Sequence, residues 1–294
     1  MVVIGIDAGG TEIKAGLLQG GEILETERLP TGRESGAHHA QEQVLHAVET
    51  MHKKFTNAQA IGLVVPGVVD ADAGIARYSE NIGWKDVHFG RMIHDLTGLP
   101  VGFGHDVRAG GIAESIYGAS KGRVNSLFMP IGTGIAGAMF IEGKLFDDPF
   151  AGEIGHLNVG SAYGCNCGSH GCLETVATGP SITRIYNERS GKQIANSQDV
   201  LHAVKSGDHI AQAVWTEATH AIGTALMAYI NIAAPELIVI GGGLSRAGAD
   251  LIDPISAYID SRITFQRRPK ITVAALGDNA GMIGAGILAA KAIA

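Results

Sequence analysis

The chain has 294 residues, which is enough for two domains of ordinary size. Glycine is abundant at 42 residues, whereas aromatic residues make up only 5% of the sequence. This composition favours an α/β protein with many tight strand-to-helix turns over a β-sandwich. The net charge is -7 and no run of Lys or Arg is present, so nucleic acid and anionic membrane surfaces are poor candidates for a main partner.

The first third of the chain predicts an α/β unit. Apolar runs and turn residues predict the following order: strands at 2–6, 13–18 and 22–29, a helix at 38–55, strands at 61–65 and 101–104, and a helix at 107–117. The N-terminus begins directly on a strand and shows no secretory signal pattern, so we expect a cytoplasmic protein.

The pattern then restarts, with a strand at 126–131, a glycine turn, and a returning strand at 135–141. The last third predicts helices at 180–188, 197–204, 210–233 and 280–293, and strands at 237–240 and 271–275. The restart suggests an internal duplication. We place the domain boundary at Gly118–Gly122, which gives an N-terminal domain of 1–118 with 280–294, and a C-terminal domain of 119–279.

Three glycine-rich turns follow apolar strands, and each exposes backbone that could approach a ligand closely. The first contains Asp7, Gly9, Gly10 and Thr11, where an ionised carboxylate beside phosphate would need Mg²⁺ as its partner. The other two are Gly132-Thr133-Gly134 and Gly241-Gly242-Gly243. The alternative for each is a plain turn, but three together predict a phosphate and nucleoside site. None is a P-loop, because the Gly-Lys-Ser/Thr ending is absent.

The densest cluster of soft ligands is His156, Cys165, Cys167 and Cys172. One imidazole and three thiolates suit a closed tetrahedral Zn²⁺ site, which would be structural because no position is left open for water. The alternative is three reduced cysteines without metal. His170 lies in the same loop and competes with His156 as the fourth ligand.

Three carboxylates are candidates for carbohydrate chemistry. Glu153 and Glu174 flank the cysteine loop, and a carboxylate can accept two hydrogen bonds from sugar hydroxyls. Asp106 follows a buried strand and precedes a helix, which suits a rigidly held general base. The alternatives are solvated surface glutamates and a helix N-cap.

Together these residues resemble the ROK family (repressors, open reading frames and sugar kinases), whose two-domain fold belongs to the actin, hexokinase and Hsp70 ATPase group, with a cleft between duplicated ribonuclease H-like units. The resemblance covers nearly the whole chain. It is carried by four segments: the first two phosphate turns, the segment from Gly152 to Glu174, and the segment from Asn231 to Gly243.

The resemblance implies an ATP-dependent hexose kinase with Mg²⁺ and a structural Zn²⁺. Asp106 would be the catalytic base. By the same resemblance, Asn81, Glu153, His156 and Glu174 would contact the sugar, with His156 also binding zinc; Gly10, Thr11, Thr133 and Gly134 would hold phosphates, and Gly242 and Gly243 would face the nucleoside. One departure is His105, which replaces the Asn that normally contacts a sugar hydroxyl.

The sequence leaves several alternatives open. Glucose is the first choice of substrate, and mannose, fructose, N-acetylmannosamine and N-acetylglucosamine are the others. Polyphosphate could replace ATP as the donor, and the resemblance suggests a homodimer or homotetramer. A sugar-sensing repressor is a remote alternative, because the first phosphate strand begins at residue 2 and the charge is acidic. A non-catalytic actin-like ATPase would not need the paired glutamates.

Overall fold

The computed structural model describes all 294 residues and divides into two compact units. Unit 1 comprises Met1–Lys121, Asp147–Phe150 and Leu276–Ala294, and unit 2 comprises Gly122–Phe146 and Ala151–Ala275. The chain therefore passes between the units four times, including a short excursion at 147–150 that the sequence does not predict. None of the helices is long and apolar enough to span a membrane.

Both units combine strands and helices. The first 121 residues form β1 (Val2–Ala8), β2 (Glu12–Gln19), β3 (Glu22–Pro30), α1 (Ala37–Lys54), β4 (Ile61–Val65), β5 (Val68–Asp70), β6 (Ile75–Ser79), β7 (Trp84–Val87), α2 (Phe89–Thr97), β8 (Val101–His105) and α3 (Asp106–Tyr117). Unit 2 contains β9 (Ser126–Pro130), β10 (Ala138–Ile141), β11 (Lys144–Leu145), α4 (Glu174–Ala177), α5 (Gly179–Ser190), α6 (Ser197–Lys205), α7 (His209–Ala233), β12 (Leu237–Gly241), α8 (Ala249–Asp260) and β13 (Lys270–Val273). The chain returns to unit 1 for α9 (Ala280–Lys291).

Each unit is built on a five-stranded sheet of the same topology. The strand order is β3-β2-β1-β4-β8 in unit 1 and β11-β10-β9-β12-β13 in unit 2. In both sheets the first three strands are antiparallel neighbours and the last two run parallel to the middle strand. This repeat is the duplication that the restarting sequence pattern predicts.

The structure corrects the strand predicted at 135–141. β10 begins only at Ala138, and Ile135 pairs with Ile131 in an isolated bridge. The Ile135 carbonyl accepts the Gly155 N–H at 3.1 Å, and the Gly137 N–H donates to the Gly152 carbonyl at 2.8 Å. Residues 135–137 therefore form hydrogen bonds with the 152–155 loop and not with a neighbouring strand. The small β5-β6-β7 sheet and the helices α2 and α8 are further elements that the sequence patterns do not predict.

A row of glycines across unit 1 lets α9 pack directly on the sheet. Gly5, Gly62 and Gly102 are register partners on β1, β4 and β8. A Cβ at Gly62 would lie 1.8 Å from the Ala285 carbonyl oxygen, and one at Gly102 would lie 2.3 Å from the Leu288 carbonyl. The missing side chains therefore set the distance between the sheet and the helix, and α9 in turn packs against α3.

We predict that Gly62→Ala lowers the free energy of unfolding by about 3 kcal/mol, because a methyl group there must push α9 away from the sheet. Urea denaturation followed by circular dichroism measures this change. Gly164→Ala is the matched control, since its Cβ would meet only ordinary contacts, 3.7 Å from His170 Nε2. Equal stability of the two variants would contradict the packing argument.

Candidate active site

The first glycine turn joins β1 to β2 and is held by hydrogen bonds from its own backbone and from Thr31. The Gly9 N–H donates to the Glu12 carbonyl at 3.0 Å, and the Gly9 carbonyl accepts from the hydroxyl of buried Thr31 at 2.7 Å. Thr31 also donates its N–H to the Thr11 carbonyl at 3.1 Å. Thr31 therefore fixes the turn from β3's side, a role that no local motif in the sequence predicts.

Asp7 and Asp106 meet at one edge of the unit 1 sheet. β1, β4 and β8 run parallel, and in this register Asp7 pairs with Val64 while Val65 pairs with His105. The carboxyl ends of parallel strands are where open α/β sheets bind ligands. The edge thus brings together the acidic residue of the first phosphate turn and the candidate base.

The environment of Asp7 disfavours its charge. Burial, followed by repulsion from the Asp106 carboxylate, raises the pKa of Asp7 from 3.8 to about 7. Lys14 acts in the opposite direction and lowers the pKa of Asp7, while its ammonium also donates to the Asp278 carbonyl at 2.9 Å. A cation held by Asp7 would remove this penalty, which fits the Mg²⁺ partner that the sequence predicts.

Asp106 is the first residue of α3, and the N-cap position belongs to His105. The His105 Nδ1 accepts the Val107 N–H at 3.2 Å, so Asp106 is not the only side chain that caps this helix end. Asp106 Oδ1 accepts the same N–H at 2.7 Å and lies 3.3 Å from His105 Nδ1. The Asp106 side chain is 25% exposed. It is therefore fixed at one oxygen and open to solvent.

The second and third glycine turns are hydrogen-bonded to each other at the carboxyl ends of β9 and β12. Ile131 donates to the Gly241 carbonyl at 2.9 Å, and Leu244 donates to the Ile131 carbonyl at 3.1 Å. Within the second turn, the Gly132 N–H donates to the Gly134 carbonyl at 3.0 Å. Gly242 has a φ of 72°, a left-handed conformation that favours glycine.

A cavity of about 550 Å³ opens beside these turns on unit 2. Gly132, Thr133 and Gly243 line it, together with Thr183 and Asn187 of α5. This volume is within the range of small-molecule sites. Gly132, Thr133 and Gly243 are candidate site residues in the sequence, whereas Thr183 and Asn187 are not. The helical sequence around these two residues contains no motif that indicates a binding cavity.

The structure gathers His156, Cys165, Cys167 and Cys172, with one ligand atom from each within 4.8 Å of the others. Cys165 Sγ lies 3.7 Å from His156 Nδ1, and Cys167 Sγ lies 3.7 Å from Cys172 Sγ. Ligands around tetrahedral zinc are separated by about 3.6–3.8 Å, given bonds of about 2.0–2.3 Å. His170 is not part of this group. The donor set and its spacing therefore fit Zn²⁺.

Two features of the cluster bear on metal binding. Burial, together with the neighbouring thiols, raises the pKa of Cys172 to about 12, so a metal must displace its proton. The Nε2 of His156 lies 3.8 Å from Glu153 Oε2, which places a carboxylate behind the ring that offers Nδ1 to the cluster. This distance is longer than a hydrogen bond, so the two side chains are neighbours without a direct bond.

Glu174 is held through one of its two carboxylate oxygens. It is the first residue of α4, and its Oε1 accepts the N–H of Ile135, directly after the second glycine turn, at 2.5 Å. Glu153 is more open, with 53% of its side chain exposed. One glutamate thus binds the backbone directly after the second glycine turn, whereas the other is exposed beside the cysteine loop.

The predicted site residues divide into two sets. Unit 1 carries Asp7, Gly9, Gly10, Thr11, Asn81, His105 and Asp106. Unit 2 carries Gly132, Thr133, Gly134, Glu153, His156, Cys165, Cys167, Cys172, Glu174, Gly242 and Gly243. Asn81 lies exposed in the turn between β6 and β7. Each unit thus carries one of the first two glycine turns and some of the predicted sugar ligands.

The architecture is that of the two-domain ATPase fold shared by actin and hexokinase. A model of the ROK family matches residues 3–292, and the chain belongs to this family. It is 33% identical to a glucokinase from Halalkalibacterium halodurans over 97% of this chain and 94% of that protein. It is 29% identical to an N-acetylgalactosamine kinase from Shewanella sp. over 97% of this chain and 95% of that protein.

Among solved structures, a ROK family glucokinase from Streptomyces griseus, in complex with glucose and AMPPNP, superimposes with a TM-score of 0.85. The sequences are 27% identical, and the match covers 99% of this chain and all of that one. The fold and the family are therefore shared along the whole length of both chains.

We predict that Asp7→Asn raises the melting temperature of the metal-free protein at pH 8 by roughly 5 °C. The folded protein binds the Asp7 proton more tightly than the unfolded chain does. The free energy of unfolding therefore falls as pH rises from 3.8 to about 7, and above that pH the full cost of the buried Asp7 charge is present. The gain should therefore shrink towards pH 4.5. Differential scanning calorimetry in EDTA tests this, with exposed Asp95→Asn as control. An equal gain at both pH values would contradict it.

Proposed function

We propose that this chain transfers the γ-phosphoryl group of ATP to the terminal hydroxyl of glucose, with Asp106 as the general base. The chain is an ATP-dependent sugar kinase of the ROK family. The observation that carries the base assignment is the position of Asp106 at the carboxyl edge of three parallel strands, beside the first phosphate turn.

The geometry of Asp106 suggests which oxygen receives the proton. Oδ1 is occupied by the Val107 N–H and lies beside His105, so we assign Oδ2 as the acceptor. As the sugar oxygen attacks the γ-phosphorus in line, its proton passes to Oδ2 and the bond to the β-phosphate oxygen breaks. A base held rigidly by one oxygen loses little freedom when the sugar arrives.

The glycine turns supply the phosphate contacts. Gly9, Gly10 and Thr11 would present backbone N–H groups from unit 1, and Gly132, Thr133 and Gly134 would do so from unit 2. Gly242 and Gly243 would face the nucleoside beside the 550 Å³ cavity. Mg²⁺ would supply charge neutralisation at the phosphates, and Asp7 is the carboxylate that would hold it, directly or through water.

The sugar contacts are proposed for Asn81 and His105 on unit 1 and for Glu153, His156 and Glu174 on unit 2. Glucose is the first choice because the relatives include glucokinases. An N-acetylgalactosamine kinase at similar identity, and the replacement of the usual Asn by His105, make an acceptor panel the decisive experiment.

The metal cluster fits this function as a structural zinc site. Zn²⁺ bound to His156, Cys165, Cys167 and Cys172 would fix the loop between Glu153 and Glu174 through all four ligands. The ligand spacing of 3.7 Å supports this proposal. The metal would have no part in the chemistry, because no ligand position remains for water or sugar.

We predict that Asp106→Asn lowers kcat about 10²- to 10⁴-fold and leaves the Kd for the sugar nearly unchanged, because only the proton acceptor is lost. A coupled ADP assay over glucose, mannose, fructose, N-acetylmannosamine, N-acetylglucosamine and N-acetylgalactosamine, with ATP or polyphosphate as donor, gives the rates. Calorimetric titration gives the sugar affinity.

The control for this experiment is Asp95→Asn, which removes an exposed carboxylate from α2 and should keep wild-type turnover. Near-normal turnover of Asp106→Asn would refute the base assignment. A wild-type preference for an amino sugar over glucose would refute the choice of substrate while leaving the kinase and its base in place.

We predict about one zinc per chain, lost in His156→Gln and retained in His170→Gln, because only the first imidazole belongs to the cluster. Inductively coupled plasma mass spectrometry of the purified variants measures the metal. The two variants remove the same functional group from one loop, so each controls for the other. Retention of zinc by His156→Gln with loss in His170→Gln would reverse the ligand assignment.

A further inference from the structure

Four chain passages connect the two units, and residues next to them are fastened to one helix. The passages lie at 121/122, 146/147, 150/151 and 275/276. The helix is α3, whose first residue is Asp106. Two of its charged side chains, Arg108 and Glu114, are buried and reach residues beside these passages.

Glu114 joins the first and the last passage. Its side chain is fully buried, Oε2 accepts the Ala119 N–H at 2.6 Å, and Oε1 accepts the Leu276 N–H at 2.8 Å. Gly118 makes room for this carboxylate, since a Cβ there would lie 2.1 Å from Oε2. A single side chain thus ties together two segments that are more than 150 residues apart in sequence.

Arg108 holds two residues that lie between the two middle passages. It is only 8% exposed, and its Nε lies 3.1 Å from Asp147 Oδ1. Its Nη1 donates to the Asp148 carbonyl at 3.1 Å. These contacts anchor the excursion at 147–150, and the chain re-enters unit 2 from there just before Glu153.

Burying these two charged side chains costs free energy, which suggests that they are kept for the positions they impose on the chain. A buried carboxylate and a buried guanidinium lose hydration, and apolar side chains of similar size would often stabilise a core better. Both residues lie on α3, two and eight residues after Asp106. The rise along the helix axis from Asp106 to Glu114 is about 12 Å. Through Arg108 and Glu114, residues beside the chain passages are bonded to the helix that carries the proposed base.

We propose that Arg108 and Glu114 are positioning residues that fasten the unit 1 residues beside the four chain passages to α3, so that Asp106 keeps its place at the carboxyl edge of the unit 1 sheet. The inference rests on the proposed role of Asp106 as the base. Loss of an anchor would leave the base and sugar less well aligned and admit water as a competing acceptor.

The test compares Glu114→Gln and Arg108→Lys with the wild type on its best sugar. In Glu114→Gln the side chain keeps its shape but has one acceptor oxygen for two N–H groups. In Arg108→Lys the positive charge remains, but the planar set of guanidinium donors is lost. We expect kcat to fall about 10- to 100-fold. We expect the sugar Kd to change less than threefold, and more than one ADP to be released per sugar phosphate.

A second readout does not depend on activity. Hydrogen exchange followed by mass spectrometry should show faster exchange of the Ala119 and Leu276 amides in Glu114→Gln, well below its melting temperature. Val48→Ala, which truncates a fully buried side chain in α1, is the stability-matched control. It should keep the wild-type kcat and a one-to-one ratio of ADP to sugar phosphate.

The outcomes separate this inference from the proposed function. If both anchor variants lose stability as Val48→Ala does, but keep the wild-type kcat and one-to-one ratio, the positioning role is refuted and the base assignment is untouched. If Asp106→Asn keeps full turnover, the base assignment fails and the positioning role falls with it. A kcat loss with uncoupled ADP release in both anchor variants, with an inactive Asp106→Asn, supports both.

Discussion

The position of the proposed base depends on the close contact of α9 with the unit 1 sheet, which is possible only because register-paired glycines on β1, β4 and β8 carry no side chain. α9 lies on those strands and also packs against α3, where a Cβ at Gly284 would meet the Ala109 carbonyl at 2.2 Å. The position of α3 fixes Asp106 at the carboxyl edge of the sheet. The close packing of α9 on the sheet thus determines the position of α3 and, with it, the position of Asp106.

The two units use the same strand topology for different tasks. In unit 1 the carboxyl edge holds two acidic side chains, and the repulsion between them contributes to the raised pKa of Asp7. In unit 2 the equivalent edge holds two glycine turns bonded to one another through Ile131 beside an open cavity, and its one carboxylate, Glu174, is engaged by the Ile135 N–H. A fold repeated within one chain therefore separates an acidic site from a site of exposed backbone, which suits a phosphoryl transfer that needs both.

Much of the fold and of the candidate site follows from local patterns. Apolar strands ending in glycine turns are visible in the sequence, and so is the clustering of Cys165, Cys167 and Cys172. The roles of Thr31, Arg108 and Glu114 are not visible, because each depends on a partner brought near by the tertiary fold. The N-cap at His105 is not predicted from the sequence because Asp is the usual capping residue. β10 starts late because its first residues bond to the loop around Gly152 and Gly155.

The central claim is that Asp106 takes the proton from the sugar's terminal hydroxyl through its second carboxylate oxygen. A crystal structure of the protein with its preferred sugar and a non-hydrolysable ATP analogue tests this most directly. We expect Asp106 Oδ2 within about 2.6–3.2 Å of that hydroxyl, with Oδ1 still bound to the Val107 N–H. A terminal hydroxyl bonded to another side chain, with Asp106 turned away from the sugar, would contradict it.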